Sequence, residues 1–345
     1  MRAAFINNHG ELDQLFVGDL PDPKPASGEV LVEVEAAALN HLDIWVRKGR
    51  PGLNLSFPHV LGSDATGVVA EVGEGVDAAL KGKTVVINPG LWCGHCEWCL
   101  RGEHSECVTY SIVGLGRWGT FAQYIVVPAA NVSPAPHLLT GYEAAALPLA
   151  YLTAWRMLTT RGQLQAGETL LIHGIGGGVA IAGLQLAKLK GARVIVTSSK
   201  SSKLQRAGEL GADEFIDYSK TQDVGAEVKR ITNGRGVDFV LDTTGAGTWP
   251  INFASVRKGG RIVHCGVTTG KIAEVDIGAL YWNHITVMGS TMGSQGEFQG
   301  LVAAVSAAKM KPVIDIIFPL AEARAAQARM EKGEQFGKII LDVSA

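Results

Sequence analysis

The first 150 residues carry short hydrophobic runs that alternate only in part with polar positions. The clearest runs are Glu29–Leu39, Gly67–Val76 and Lys83–Asn88, and β-branched side chains are frequent in them. Glycine and proline clusters at Pro21–Pro25 and Gly49–Gly52 interrupt the pattern, as turns between strands do. This part of the chain is therefore predicted to form a β-rich domain, barrel-like or sandwiched, with few helices.

From about Ala150 the pattern changes to strands that alternate with helices. Short apolar runs recur along this segment, at Thr169–His173, Arg193–Thr197, Asp238–Leu241, Arg261–Cys265 and Ile285–Met288. The clearest helix between them is predicted over Val179–Leu189. Alternation of this kind favours a parallel, doubly wound sheet with helices on both faces.

The chain after Met292 also alternates between helix and strand. Helices are predicted over Gly300–Lys309 and Leu320–Lys332, and strands over Val313–Phe318 and Lys338–Val343. A return of this tail to the first domain is one arrangement that fits. The hydrophobic pattern alone does not decide it.

A glycine-rich turn joins the first strand of the alternating segment to its clearest helix. The turn offers five candidate cofactor-binding residues, Gly174, Gly176, Gly177, Gly178 and Val179. Glycine lets the backbone approach a pyrophosphate, and the helix N-terminus supplies free N–H groups. A strict G-x-G-x-x-G is absent, and the spacing Gly174-x-x-Gly177-x-x-Ala180 fits better. The alternative is a turn that only packs the helix on the strand.

The next predicted strand indicates which nicotinamide cofactor is preferred. Sites that prefer NADH place an acidic residue at the end of this strand to bind the ribose hydroxyls. No acidic residue occurs from Arg193 to Gly208. The strand leads instead into hydroxyl and ammonium side chains, those of Ser198, Ser199, Lys200 and Lys203. These groups suit a 2′-phosphate, so NADPH is predicted in preference to NADH. The alternative is a solvated helix start with Ser201 or Ser202 as its cap.

Four of the five cysteines form a closely spaced group, Cys93-x2-Cys96-x2-Cys99-x7-Cys107. Four thiolates that converge make a tetrahedral site with no open position, so one structural zinc ion per chain is predicted. The alternatives are disulfides, which suit an oxidising compartment, and an iron–sulfur cluster, whose usual spacing differs. His95 and His104 lie in the same loop and could replace a thiolate, but they are predicted to be surface residues.

Composition and charge exclude several classes of protein. The chain has 345 residues, 47% of them hydrophobic and 19% charged, which suits two domains with a sizeable interior. A net charge of −2 provides no basic excess for nucleic acid. Apolar runs stop short of the roughly 18 residues of a membrane span, and MRAAFINNHG lacks the apolar core of a signal peptide. A cytoplasmic protein that acts on a small molecule, and binds neither nucleic acid nor membranes, is predicted.

The glycine loop and the cysteine group together resemble the medium-chain dehydrogenase/reductase superfamily, which contains zinc alcohol dehydrogenases and their quinone-reductase relatives. The resemblance extends over essentially the whole chain and includes Pro58–Val69, Gly119–Pro128, Leu152–Trp155 and Gly337–Leu341. It implies an α/β fold with a GroES-like, β-rich catalytic domain over residues 1–149 and 292–345. A Rossmann NADP-binding domain, with a doubly wound parallel sheet, is implied over residues 150–291. The resemblance also implies a homo-oligomer, either a dimer or a tetramer.

Four positions depart from the zinc-dependent members of this superfamily. Their catalytic Cys, their His in a Gly-His-Glu stretch and their third ligand fall at Asn40, Ser63 and about Leu149. The hydroxyl that usually begins the proton relay falls at Leu42. Asn40 and Ser63 are poor zinc ligands and Leu149 is none, so the catalytic zinc is predicted to be missing.

The stretch Leu39–Asp43 instead resembles the Asn-x-x-Asp of zinc-independent quinone and enone reductases. In those enzymes the Asn lies near the nicotinamide, so Asn40 is a candidate donor to negative charge that develops on the substrate. Asp43 completes the motif, and Trp45 stands where that subfamily often has a tyrosine. These three are the candidate catalytic residues. The alternatives are a turn residue for Asn40, a salt-bridge acceptor for Asp43 and a core position for Trp45.

The same resemblance assigns the remaining cofactor contacts. It places Thr153 and the backbone at Gly266 and Val267 near the nicotinamide, and Lys338 near the pyrophosphate. The predicted function is NADPH-dependent reduction of quinones or other conjugated carbonyls without catalytic zinc. One alternative is a cofactor-binding protein without turnover. The other is a zinc-dependent alcohol dehydrogenase whose atypical metal site uses His41, His59 or Asp64.

Overall fold

The structure is a computed structural model and describes residues 1–49 and 52–344. Its strands, in chain order, are β1 (Arg2–Ile6), β2 (Leu15–Asp19), β3 (Glu29–Ala38), β4 (His59–Val60), β5 (Asp64–Val72), β6 (Thr84–Ile87), β7 (Gly90–Leu91), β8 (Ser111–Ile112), β9 (Tyr124–Pro128), β10 (Val132–Pro134), β11 (Thr169–Ile172), β12 (Arg193–Ser198), β13 (Glu214–Asp217), β14 (Val237–Asp242), β15 (Val256–His264), β16 (Thr286–Gly289), β17 (Ile314–Pro319) and β18 (Lys338–Asp342). Its helices are α1 (His41–Lys48), α2 (Glu97–Leu100), α3 (Gly141–Ala145), α4 (Pro148–Arg156), α5 (Gly178–Leu189), α6 (Ser201–Glu209), α7 (Val224–Ile231), α8 (Trp249–Ser255), α9 (Ile277–Trp282), α10 (Gln295–Ala308) and α11 (Ala323–Glu331).

The chain forms two compact units. The first contains Met1–Leu152 and the chain from Gly293 onward, and the second contains Thr153–Met292. The sequence predicts divisions after residues 149 and 291, and the structure divides the chain after residues 152 and 292. The tail therefore returns to the first unit, a point that the hydrophobic pattern leaves undecided.

The first unit is built on a mainly antiparallel sheet with the strand order β10-β6-β5-β3-β18-β17, and β9 also pairs with β3. Fully buried side chains such as Val32, Ile87 and Ile339 form its core. The closing strand β18 lies beside β3, with Ile340 opposite Ala38. This pairing places the tail of the chain inside the sheet, with β18 between β3 and β17.

The second unit is a parallel sheet with the strand order β13-β12-β11-β14-β15-β16. Its central strands are buried on both faces, which explains why their sequences are almost continuously apolar. The order reverses between β11 and β14, and in such sheets the ligand binds there, beyond the carboxyl ends of the strands. The predicted α/β fold with a β-rich domain and a doubly wound parallel sheet is confirmed.

The start of α10 differs from its predicted position. The helix begins at Gln295 rather than Gly300 because a capping box precedes it. The Ser294 hydroxyl accepts from the Glu297 N–H at 3.2 Å, and the Glu297 carboxylate accepts from the Ser294 N–H at 2.6 Å. The helix predicted over Leu320–Lys332 likewise has a different start, because Leu320–Glu322 form a separate 3₁₀ turn before α11.

Candidate functional site

The glycine loop joins β11 to α5 at the point where the strand order reverses. Gly174 and Gly176 have positive φ angles of 62° and 127°, which glycine adopts without the clash that a side chain would cause. Gly177 is the N-cap residue of α5, and the helix starts with Gly178 and Val179. The loop therefore leads into a helix N-terminus whose amides suit a pyrophosphate.

The candidate residues for a 2′-phosphate lie beside this loop. Ser198 ends β12 and is buried, and its Oγ accepts from the Lys200 N–H at 3.1 Å. Ser199 and Lys200 are exposed. A Cβ added at Gly176 would lie 2.8 Å from Cδ and 2.9 Å from Nζ of Lys203. The side chain of Lys203 therefore lies directly over the glycine loop. The residues predicted to bind the pyrophosphate and those predicted to bind the 2′-phosphate are thus neighbours.

An acidic residue on the neighbouring strand also belongs to this region. Asp217 ends β13 and lies opposite Ser198 in the parallel register. Its carboxylate accepts from the Ser219 hydroxyl at 2.6 Å and pairs with Lys220 at 3.0 Å. These two partners lower the pKa of Asp217 to about 2. The negative charge of Asp217 is therefore neutralised by its own partners. It lies beside the end of β12, a strand that has no acidic residue of its own.

A cavity of about 520 Å³ opens beside the glycine loop in the second unit. Gly174 and Thr197 line one part of it, and Tyr218, Thr244 and Thr269 line another. Tyr218 follows β13 and Thr244 follows β14, so the cavity lies at the carboxyl edge of the parallel strands, where cofactors bind in this fold. Sequence reasoning missed these last three residues. Their position just after strands was the available signal.

A chain of hydrogen bonds runs from the buried Asp242 to the glycine loop. Asp242 accepts from Asn252 Nδ2 at 2.6 Å, which turns Asn252 Oδ1 toward His173 Nε2, 2.9 Å away. Because that oxygen only accepts, Nε2 carries the proton, and Nδ1 accepts from the Thr197 hydroxyl at 3.3 Å. Burial lowers the pKa of His173, which agrees with a neutral ring. The Thr197 oxygen in turn accepts from the Gly174 N–H at 3.3 Å, so the chain reaches the loop.

The remaining candidate cofactor contacts of this unit lie at its first residue and after β15. Thr153 is buried, and its hydroxyl lies 3.7 Å from the Met292 sulfur. Gly266 has a φ of 85°, and a Cβ there would lie 2.8 Å from the Thr243 carbonyl oxygen. Only glycine fits this close approach. Val267 is exposed beside it.

The four cysteines of the lobe converge on one point. Their sulfur atoms all lie within 4.8 Å of one another. The Cys93 N–H donates to Cys107 Sγ at 3.3 Å, and the Cys96 N–H donates to Cys93 Sγ at 3.4 Å. Burial opposes ionisation of Cys107, but donors led by the Cys93 N–H outweigh it and lower its pKa to about 6. Together with Cys99, these thiolates fit one tetrahedral zinc ion.

Asn40, Asp43, Asp64 and Lys338 form a buried polar cluster in the first unit, and none of them is more than 7% exposed. Lys338 Nζ donates to Asn40 Oδ1 at 2.6 Å, to Asp64 Oδ2 at 2.9 Å and to the Leu39 carbonyl at 2.7 Å. Asn40 Nδ2 donates to the same Asp64 oxygen at 2.9 Å. An ammonium has three N–H groups, so all of those on Lys338 are used here.

The register of the sheet explains how these distant residues meet. Ala38, at the end of β3, lies between Ile340 of β18 and Asp64 of β5. Continued by two residues, the antiparallel ladder brings Lys338 beside Asn40. Three strand ends therefore converge on the start of α1.

The cluster contains two of the predicted site residues, Lys338 and Asn40. Lys338 is held in the first unit by all three of its N–H groups, and its place near a pyrophosphate stays a prediction. Asn40 turns its oxygen to Lys338, and its amino group faces Asp64 and, at 3.5 Å, the Ala38 carbonyl. Its amide links members of the cluster, and its role as a donor to the substrate stays a prediction.

The other two candidate catalytic residues lie on the first turns of α1. Asp43 is inside the cluster, where its Oδ2 accepts from the Asn40 N–H at 2.7 Å. Burial raises the pKa of Asp43 to about 7. Trp45 is half-buried, and its ring lies 6.3 Å from the ring of exposed His41. The helix therefore presents His41 and Trp45 outward and Asp43 inward.

Comparisons with known proteins establish the family. The model of the alcohol dehydrogenase GroES-like domain matches residues 26–137, and that of zinc-binding dehydrogenases matches residues 178–307. A zinc-type alcohol dehydrogenase-like protein of Schizosaccharomyces pombe is 35% identical over 96% of both chains. The chain belongs to the medium-chain dehydrogenase/reductase superfamily.

Two further similarities concern members of this superfamily with different names. The crystal structure of an NAD-dependent alcohol dehydrogenase has a TM-score of 0.95 and 43% identity, and the match covers 99% of this chain and 100% of that one. An acryloyl-coenzyme A reductase of Metallosphaera sedula is 29% identical over 99% of both chains. The superfamily thus contains similar chains named as dehydrogenases and as reductases.

The catalytic metal of the zinc-dependent superfamily members does not fit the residues of this chain. The Ser63 hydroxyl donates to a backbone carbonyl at 2.8 Å, and Leu149 offers only its N–H, which bonds Asp64 Oδ1 at 2.8 Å. His59 Nε2 lies 3.0 Å from another carbonyl. The alternative set of His41, His59 and Asp64 does not converge either. Over residues 1–49 and 52–344, the cysteine lobe is the one group of three or more metal-ligating side chains.

Proposed function

We propose that this protein is an NADPH-dependent reductase of conjugated carbonyl compounds, meaning quinones or α,β-unsaturated aldehydes and ketones. The observation that carries the proposal is the buried polar cluster. In it Asn40, at a position where the resemblance places a metal ligand of the zinc-dependent members, bonds Lys338, which also pairs with Asp64. In the zinc-dependent members, oxidation of a simple alcohol relies on a Lewis acid at the oxygen, whereas conjugation makes a carbonyl compound electrophilic without one.

One relative supports the substrate class. The name of acryloyl-coenzyme A reductase denotes a substrate with a carbon–carbon double bond conjugated to a thioester carbonyl. Such a substrate shares with enones and quinones an electron-poor carbon that accepts hydride. A superfamily chain of the same length is therefore compatible with this chemistry.

We propose NADPH as the cofactor, and bound NADPH would supply the hydride from its nicotinamide ring. The glycine loop and the start of α5 would hold its pyrophosphate, and Ser198, Lys200 and Lys203 its 2′-phosphate. Lys203 is well placed for this because its ammonium lies over Gly176. The chain of hydrogen bonds from Asp242 to Gly174 would maintain the conformation of the glycine loop while the cofactor binds.

We also propose one structural zinc ion in the cysteine lobe, which requires the thiols to remain reduced. A reducing compartment such as the cytoplasm supports that state. Within the part of the chain that the structure describes, no helix has the length and hydropathy needed to cross a membrane.

A second candidate function is zinc-dependent oxidation of alcohols. The names of the Schizosaccharomyces pombe relative and of the 43% identical structure favour it. It requires a second metal ion per chain and activity on simple alcohols. Both requirements differ from those of the reductase, so one set of measurements separates the two functions.

The test is a paired assay before and after dialysis against a chelator that leaves the lobe zinc in place. NADPH oxidation is followed with quinones, enones and enals, and NADP⁺ or NAD⁺ reduction is followed with primary and secondary alcohols. We expect turnover of conjugated carbonyls that dialysis does not change, and little or no alcohol oxidation. Alcohol oxidation that stops on dialysis would establish the second candidate. A chain that binds NADPH and turns over nothing would be a cofactor-binding protein.

A further inference from the structure

The carboxylate of Asp217 lies close to the end of β12, where the 2′-phosphate of NADPH is proposed to bind. Asp217 pairs with Ser198 in the parallel register, which places the Cα atoms of the two residues about 4.8 Å apart. Its Oδ2 accepts from the Ser201 hydroxyl at 3.4 Å, so the carboxylate also faces the first residue of α6. Only 15% of the Asp217 side chain is exposed. A negative charge therefore lies beside a site proposed for an anion.

Lys220 neutralises this charge from the turn that follows β13. Its ammonium lies 3.0 Å from Asp217 Oδ2 and 3.4 Å from Ser201 Oγ, so the ion pair contacts the start of α6. The Lys220 side chain is 72% exposed, and ion pairs of this kind contribute little to the stability of a protein. Loss of the ammonium would thus leave the fold intact and would expose the carboxylate's full charge to a bound anion.

The charge of this pair affects NADPH more than NADH. A phosphate carries up to about two negative charges at neutral pH, and NADH has a hydroxyl group in its place. One carboxylate weakens the binding of such a phosphate about fivefold at a separation of roughly 8 Å, an effective dielectric of about 40 and about 0.1 M salt. The ratio of the affinities for the two cofactors therefore depends on whether Asp217 is neutralised.

We propose that Lys220 is a specificity-determining residue for NADPH and that it acts by neutralising Asp217. It lies outside the group of residues predicted to hold the 2′-phosphate, and it acts through a second side chain. Asp217 is then the residue that limits the preference for NADPH. The inference rests on the proposed use of NADPH, and it names the ion pair that makes the end of β12 suitable for a phosphate.

The experiment is a double-mutant cycle on the two side chains. Dissociation constants for NADPH and NADH are measured by isothermal titration calorimetry, without substrate, for the wild type, Lys220→Gln, Asp217→Asn and the double variant. Lys220→Arg is included because it keeps the charge. Lys188→Gln is the matched control, since Lys188 pairs with Asp213 at 2.8 Å. Asp213 precedes β13, so this second pair lies at the opposite end of the same strand, about 13 Å away.

We expect the wild type to bind NADPH more tightly than NADH, and Lys220→Gln to lower this preference about fivefold in about 0.1 M salt. Asp217→Asn should raise the preference by a similar factor. The double variant and Lys220→Arg should both return to the wild-type ratio, and Lys188→Gln should change it less than about twofold. The shifts should vanish in about 1 M salt, because salt screens a charge but does not repair a damaged structure.

Two outcomes would overturn the role of Lys220. One is an unchanged ratio of affinities in Lys220→Gln. The other is a double variant whose preference is as low as that of Lys220→Gln, since the ammonium would then bind the phosphate directly. Either result leaves the proposed use of NADPH standing if the wild type prefers NADPH, whereas a wild type that prefers NADH would remove both. The titrations contain no carbonyl compound, so failure of the proposed reductase activity is a separate result.

Discussion

We expect Ser198 to be the residue at which the proposed preference for NADPH over NADH can be reversed. It is buried at the end of β12, where an acidic side chain would face a 2′-phosphate. We expect Ser198→Asp to weaken the binding of NADPH more than that of NADH. The reason is that two unit charges about 4 Å apart repel by about 4 kcal/mol at an effective dielectric of 20. A loss of at least tenfold in kcat/KM for NADPH is the expected size.

The measurement is kcat/KM with each cofactor at a fixed concentration of a conjugated carbonyl. Ser198→Asn is the matched control, since it changes the side chain without adding charge. A wild type that prefers NADH, or a Ser198→Asp variant with unchanged preference, would contradict the assignment of the 2′-phosphate to this strand end.

Asp43 gives the stability of the protein a specific pH dependence. Burial raises its pKa in the folded state to about 7 from the ordinary 3.8. Between these values the folded chain holds a proton that the unfolded chain has released, so this contribution to stability is complete below about pH 4 and is lost as the pH rises through about 7. Asp43→Asn removes the titration, so above pH 7 it should be more stable than the wild type by up to about 4 kcal/mol.

Denaturant unfolding from pH 4 to pH 8 checks this prediction. The difference in free energy of unfolding between Asp43→Asn and the wild type should grow with pH and level off above about pH 7. The exposed Asp19→Asn change is the control and should show no such trend. A difference that is constant with pH would mean that Asp43 is ionised in the folded protein throughout the range.

The cysteine lobe is an element whose structure depends on its metal. Cys99→Ser should lose the bound zinc and lower the melting temperature, because zinc binding to such sites contributes on the order of 10 kcal/mol of apparent free energy in small domains. The loss should extend to the start of α10, since the Gln295 N–H donates to His104 of the lobe at 3.1 Å. Hydrogen exchange at α10 together with zinc content tests this, with Cys265→Ser as the control that keeps the metal. Loss of zinc without any change in melting would contradict a structural role.

Elements defined by local sequence were predictable, and those defined by strand pairing were not. The glycine loop and the cysteine lobe each lie within one short segment, so the spacing of Gly174 to Val179, or of Cys93 to Cys107, already specifies their shape. The buried polar cluster instead depends on β18 pairing with β3 and β3 with β5. The hydrophobic pattern contains no record of which strands pair, so the contact between Asn40 and Lys338 could not be deduced from it.

At the scale of the whole molecule, the sheet of the second unit has two edge strands, β13 and β16, and neither pairs with a further strand of the described residues. Strand β16 is the last in the strand order, and large side chains on it, on α9 and in the loop before α9 are exposed. They are Ile272, Ile277, Tyr281, Trp282 and Val287, with exposed fractions from 38% to 81%. An exposed strand edge flanked by apolar side chains is a surface on which another strand can pair.

We propose that a second copy of the chain covers this edge and forms a homodimer. Two identical β16 strands related by a two-fold axis can pair with each other, which closes the assembly and joins the two parallel sheets. We expect light scattering to give a dimer or a multiple of it, and Val287→Pro to shift the protein toward monomer because proline blocks strand pairing. Ile317→Pro, also exposed but on β17 of the first unit, is the matched control and should leave the assembly unchanged. A wild type that stays monomeric at micromolar concentration, or a Val287→Pro variant that remains folded and dimeric, would show that the edge is not the interface.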